Sequence, residues 1–151
     1  MNYFDANYIS RCYLDEHGST EVRALASATA VVCVELGQAE ASSAFHRKLR
    51  EGALTPAEFA ALMNQFEAEL SLFTWLPVTS ALITDVRQSF VTLPPTVFLR
   101  SADALHLACA REAGLTEIYS NDRHLLAAAP HFGLNGVNVI PAPSTESTPA
   151  P

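Results

Sequence analysis

A single α/β domain built on a mainly parallel sheet is what this 151-residue chain predicts. Short β-branched or aromatic runs alternate with longer helical patterns along the chain, the order that yields parallel strands joined by crossover helices. Acids stand just after an early and a late strand-like run, at Asp5 and Asp122. In a parallel sheet both lie on the carboxyl edge, where such folds bind ligands. The length suits one domain that buries roughly two thirds of the surface its unfolded form exposes.

Taken in order, residues 2–4 (NYF) read as a brief strand ended by Asp5, with a helix over about 7–15. Gly18 and Ser19 break the pattern, and a second helix starts near Thr20. Residues 30–34 (AVVCV) have the composition of a strand covered on both faces. A helix over 35–51 closes at Gly52. On it Leu36 and Ala44 lie four residues either side of Glu40, so this acid shares a face with apolar residues. Thr55, Pro56 and Glu58 form a capping box with proline at the first helical position. Phe59, Leu62, Met63, Phe66, Leu70 and Phe73 follow at helical spacing. That stripe predicts core, with part of it available as a groove or subunit contact. Residues 76–78 read as a strand, Thr79 caps a helix to about 91, and Pro94-Pro95 marks a loop. Ser101 reads as the cap of ADALHLACAREAG, apolar on nearly every side and ended by Gly114. Residues 117–120 read as a strand, Asn121 or Asp122 caps a short helix through 128, and 137–140 is the last strand. The domain spans 1–141; 142–151, rich in Pro, Ser and Thr, is expected to be a disordered tail.

Apolar residues make up 49% of the chain, yet no run approaches the ~18 residues of a membrane span. The first ten residues lack the basic region and apolar core of a secretory signal, and Cys12, Cys33 and Cys109 form no CxxC pair. A cytoplasmic protein with buried thiols and no membrane association is expected. Net charge is −7 with one lysine, which excludes coating of nucleic acid by bulk electrostatics. A nucleic-acid role has to be local.

Four acids carry that possibility: Asp5, Glu40, Asp103 and Asp122. Asp5 and Asp122 also suit helix N-caps, and Asp103 a helix dipole. Together they are harder to explain that way. Carboxylates ~4–5 Å apart repel by roughly 3–4 kcal/mol per pair at an effective dielectric of 20, and a divalent cation removes that repulsion. Oxygen ligands with no cysteine or paired histidine favour Mg2+ or Mn2+ over zinc. Such an ion suits phosphodiester cleavage by a water of lowered pKa.

NYFDAN, QAEASSAF, RSADALHLACAREAG and IYSNDRHL, in this order and spacing, resemble the PIN-domain ribonucleases, and among them VapC-type toxins of toxin–antitoxin pairs. The resemblance spans about residues 2–141. It implies a three-layer α/β/α sandwich and a Mg2+- or Mn2+-dependent endoribonuclease with the acid roles on Asp5, Glu40, Asp103 and Asp122. It also implies an antitoxin partner whose tail blocks the site, and a homodimer. Asn7 stands where the family often has Ser or Thr, while Ser120 and Asn121 match its pattern before the last acid; these three are supporting residues.

Arg11, Arg47, Lys48, Arg100 and Arg123 are the candidate RNA-gripping cations, although Arg47 and Lys48 also suit the solvated end of a helix. His106, three residues after Asp103, reads as a hydrogen-bonded histidine in the core or near the site rather than a metal ligand. The alternatives are a catalytically weak PIN-like module that pairs with an antitoxin, and a phosphatase of the haloacid dehalogenase type. Asp5-Ala6-Asn7 is not the Asp-x-Asp of the latter, and Lys48 is badly placed for its chemistry.

Overall fold

The computed structural model of the chain describes residues 1–142, so the expected tail beyond Ala142 lies outside the described residues. Five strands, β1 (Asn2–Phe4), β2 (Val31–Val34), β3 (Thr74–Leu76), β4 (Glu117–Tyr119) and β5 (Asn135–Val137), form one sheet in the order β3-β2-β1-β4-β5. Every pairing is parallel, with Tyr3 opposite both Val32 and Ile118.

The pleat sorts the strand side chains into two cores. Tyr3, Val32, Val34 and Ile118 face helices α5 (Ser80–Thr92), α6 (Ser101–Glu112) and α7 (Arg123–Ala128). Phe4, Val31 and Cys33 face α1 (Ala6–Tyr13), α2 (Ser19–Ala28), α3 (Leu36–Arg50) and α4 (Pro56–Glu69). This alternation with period two makes the three-layer α/β/α sandwich.

The capping box at Thr55 forms, with Glu58 accepting from the Thr55 backbone N–H at 2.8 Å. Residues 104–110 of α6 are all buried, as an all-round apolar helix requires. Gly114 ends it in the left-handed region at φ 71°, with the Gly114 and Leu115 N–H groups returning to Arg111 and Ala110. Of the aromatic stripe, Phe66 is buried, and Phe59, Leu62, Met63, Leu70 and Phe73 pack partly buried on the α1–α4 side.

Three boundaries move. The strand expected at 76–78 lies two residues earlier, because Thr74, Trp75 and Leu76 find register with Val32, Cys33 and Val34, and Pro77 cannot donate to a ladder. The strand expected at 137–140 is Asn135–Val137. Beyond it the chain leaves the sheet: the Val139 N–H donates to the Tyr8 hydroxyl, which donates to Asn138 Oδ1. Gly136 permits the close pass of β5 beside α7, since a Cβ there would stand 2.9 Å from the Leu126 side chain. Ser101 is the first residue of α6 rather than its cap. Arg100 occupies the cap position, and its side chain is engaged elsewhere.

Candidate active site

Strand ends and helix starts at the carboxyl edge of the sheet place Asp5, Asp103 and Asp122, and the second turn of α3 places Glu40. Asp5 follows β1 as the N-cap of α1: its Oδ1 accepts from the Tyr8 N–H at 2.9 Å, and its Oδ2 from the Ser120 hydroxyl at 2.5 Å and Asn7 Nδ2 at 3.4 Å. It is 3% exposed. Burial raises its carboxyl above the ordinary carboxylate value, and the Ser120 hydrogen bond, the neighbouring His106 and the hydrogen bonds from Tyr8 and Asn7 only partly offset that. Asp122 caps α7, its Oδ1 accepting from the His124 and Leu125 N–H groups. The Asp122 N–H donates to Ser120 Oγ at 2.9 Å, so one serine hydroxyl links the first acid to the last. Both aspartates are thus helix caps as well as candidate site residues.

Asp103 and Asp122 meet through Arg100. Its Nε donates to Asp103 Oδ2 at 2.9 Å and its Nη2 to Asp122 Oδ2 at 2.5 Å. The two carboxylates hold the Arg100 guanidinium above its usual value, the Asp103 hydrogen bond being the largest cause. Glu40 sits at the margin of the buried stripe of α3, which runs through Gly37, Ala41 and Phe45. It is therefore less buried than its spacing from Leu36 and Ala44 implied, because the true stripe is offset by one residue. Its Oε2 lies 2.7 Å from His106 Nε2. A cleft of about 330 Å³ is lined by Asn7, Glu40, Arg47, Arg100 and Asp103.

The candidate cations separate. Arg47 and Arg100 line the cleft. Arg11 donates to Asn121 Oδ1 at 3.4 Å and to the Asn7 carbonyl, so it braces the supporting residues. Lys48 is turned to Glu16, 2.5 Å away. Arg123 is exposed at the start of α7, next to Asp122. His106 is 2% exposed and joined to Tyr3 as well as Glu40. Cys33 and Cys109 are buried and Cys12 half-buried, and burial lifts the thiols of Cys12 and Cys109 to about 11, which removes them as nucleophiles. Arg100 as a bridge and Tyr3 as a polar partner escaped the sequence reading. Tyr3 lies in an apolar strand, and Arg100 joins acids 19 residues apart in sequence, so only the fold brings them together.

Among the described residues no three Asp, Glu, His or Cys side chains stand close enough to enclose an ion as they lie. The donor set still suits a hard divalent cation. It is all oxygen, Asp5 buries its carboxyl group, and Arg100 already supplies positive charge between two of the acids. Arg100→Ala is expected to lower the metal-free melting temperature by roughly 1 kcal/mol equivalent, discounted for the exposure of Arg100, and Mn2+ is expected to restore it. Thermal melts with and without Mn2+ check this; an unchanged metal-free melt sinks the bridging account.

The structure is similar to that of FitAB bound to an IR36 DNA fragment, with a TM-score of 0.71 and 16% identity over 97% of this chain and 100% of that one. It is also similar to VapC20 of Mycobacterium tuberculosis, a sarcin-ricin loop cleaving toxin, with a TM-score of 0.67 and 15% identity over 85% of this chain and 95% of that one. No curated protein sequence matches. No described helix is long and apolar enough to cross a membrane. The PIN domain model matches residues 3–130. That match, on a five-stranded parallel sheet with acids at its carboxyl edge, removes the haloacid dehalogenase alternative: the chain belongs to the PIN domain family.

Proposed function

We propose that the chain is a VapC-like toxin, a Mg2+- or Mn2+-dependent endoribonuclease that hydrolyses RNA phosphodiester bonds. The observation that carries this is the meeting of buried Asp5, through Ser120, with Asp122, and of Asp122, through Arg100, with Asp103, beside the cleft that Glu40 lines. The membership of the PIN family and the similarity to a sarcin-ricin loop cleaving toxin support it.

Asp5, Glu40, Asp103 and Asp122 are the residues that would hold the ion, which when bound lowers the pKa of an attacking water and offsets charge on the phosphate. Ser120 and Asn7 orient the Asp5 carboxylate by donating to Oδ2. Asn121 and Arg11 hold one another at the rim. Asp103 has an oxygen not engaged by Arg100 and accepts a proton from water in the cleft. Arg47 and Arg100 face the cleft and grip the phosphate, a local cationic contact in an otherwise acidic chain. Arg11 and Arg123 extend that contact, while Lys48 contributes least because Glu16 occupies it.

The partners are an RNA substrate, an antitoxin whose segment fills the cleft, and a second copy of the chain in the cytoplasm. Exposed Ile83, Phe90, Val91 and Phe98 support an apolar contact of the last kind. Purified chain free of partner is expected to cleave RNA in Mg2+ or Mn2+ and to stop in EDTA. Cleavage that persists in EDTA overturns the metal reading, and a chain that binds its antitoxin yet leaves RNA intact in both metals is the weak module instead.

A further inference from the structure

A largely buried chain of hydrogen bonds runs from the sheet through His106 to Glu40. The Val34 N–H of β2 donates to the Tyr3 hydroxyl of β1 at 3.2 Å. That hydroxyl lies 3.1 Å from His106 Nδ1, and His106 Nε2 lies 2.7 Å from Glu40 Oε2. Tyr3 is fully buried, His106 is 2% exposed, and no buried side-chain polar atom among the described residues lacks a partner.

Donors and acceptors along this chain match one neutral tautomer of His106. A carboxylate accepts only, so Nε2 carries the hydrogen toward Glu40. In a neutral ring Nδ1 is then an acceptor, and the Tyr3 hydroxyl, whose oxygen accepts from Val34, has its one hydrogen to donate there. The tautomer is thereby set from β1, the strand that leads into Asp5. The Tyr3 ring also stands edge-on to the imidazole, at 84° between planes, which restrains rotation of the histidine.

Glu40 needs such an anchor. Its side chain is 31% exposed, and an unanchored glutamate there would spread over several rotamers. With Oε2 held by His106, among the described residues Oε1 takes no hydrogen bond and remains for the cleft that Glu40 lines.

We propose that His106 is a positioning residue for Glu40: its Nε2–H tautomer, imposed by the Tyr3 hydroxyl, fixes Glu40 Oε2 and so presents Oε1 to a divalent cation. The proposal deepens the metal reading above and rests on it. Hydrogen bonds to ligating side chains are worth 10–100-fold in metal affinity. His106→Ala is therefore expected to weaken Mn2+ binding, measured by calorimetry at temperatures where circular dichroism shows the fold intact, by about that factor. His106→Gln, whose Nε2 amide reaches the same place, is expected to return the affinity toward the wild-type value. A histidine with a structural role only would lower the melting temperature and leave the Mn2+ affinity of the folded protein alone, with no rescue by glutamine.

Nitrogen-15 NMR of metal-free wild-type protein reads the tautomer without any variant, and Nε2–H is the expected form. An Nδ1–H tautomer, or equal Mn2+ affinity in wild type and His106→Ala, overturns the proposal. Should His106→Ala fail to fold, Tyr3→Phe removes only the hydroxyl; it is expected to blur the tautomer and weaken Mn2+ binding, and wild-type behaviour in both overturns the proposal. Wild-type protein that binds no Mn2+ overturns the metal reading itself, and this proposal with it. Wild-type protein that binds Mn2+ no more tightly than His106→Ala overturns only the role given to His106.

Discussion

Replacing Asp5 with asparagine is expected to lower RNA cleavage by at least ~10²–10³-fold, the scale of losing one preorganised electrostatic group at a reacting centre. In metal-free buffer the same substitution is expected to raise the melting temperature. The two effects share a cause. Asp5 is 3% exposed, and burial raises its carboxyl above the ordinary value, so its ionised form is the unfavourable one in the folded chain. Asparagine removes the charge, keeps the helix cap, reverses the Ser120 contact and gives up acceptance from Asn7 Nδ2. It caps a helix as well as aspartate does, so Oδ1 still accepts from Tyr8, while its amide donates to Ser120 Oγ, which has a second lone pair. A gain on the order of 1 kcal/mol corresponds to roughly 2–4 °C for a domain of this size.

The pH dependence has a definite sign. Between the ordinary carboxylate value and the raised folded value of Asp5, the native state binds more protons than the unfolded state. This contribution to stability is therefore present at low pH and lost as pH rises through that window. Wild type and Asp5→Asn should differ little below it, and diverge above it. Melts from acid to neutral pH in EDTA read this directly. A variant that cleaves RNA normally, or that melts below wild type at neutral pH, removes the assignment of Asp5 as a charge strained by burial.

The layers, the order of strands and helices, and the carboxyl-edge placement of Asp5 and Asp122 were legible because each rests on local pattern: period-two strands, capping residues and buried runs. Asp103 was legible from its place at the start of an all-apolar helix. Glu40 was harder. A spacing of four identified it with Leu36 and Ala44, but two adjacent stripes on a helix differ by 100°, and packing chose Gly37, Ala41 and Phe45. The two displaced strands show the same limit. Thr74 is exposed and pairs for backbone reasons, and Val139 and Ile140 look like strand residues yet bind Tyr8 and Asn138 instead. His106 and Tyr3 act through partners 66 and 103 residues away and Arg100 reaches Asp122 22 residues on, and no local pattern carries such pairings.

Phe45→Ala is expected to cost roughly 3–5 kcal/mol, the range for emptying a buried phenylalanine site. Phe45 is fully buried beneath α3, with Phe66 and Tyr13 at ring-centroid distances of 5.4 and 5.9 Å in edge-on arrangements. Those neighbours come from α4 and α1, so three helices lose a shared contact and none can close the void alone. Against a typical total of 5–15 kcal/mol, the loss is a large fraction of stability. Urea denaturation should show a lower midpoint at an unchanged slope. Leu72→Ala, at a side chain 70% exposed, should stay within about 0.5 kcal/mol of wild type. The helix that Phe45 anchors also carries Glu40, five residues earlier. If α3 moves as a unit, Mn2+ affinity should fall with stability in Phe45→Ala; if the His106 contact holds Glu40 by itself, affinity should survive in the folded fraction. Calorimetry well below the melting temperature separates the two, and a loss under 1 kcal/mol in the urea experiment would mean that α1, α3 and α4 do not share the core described here.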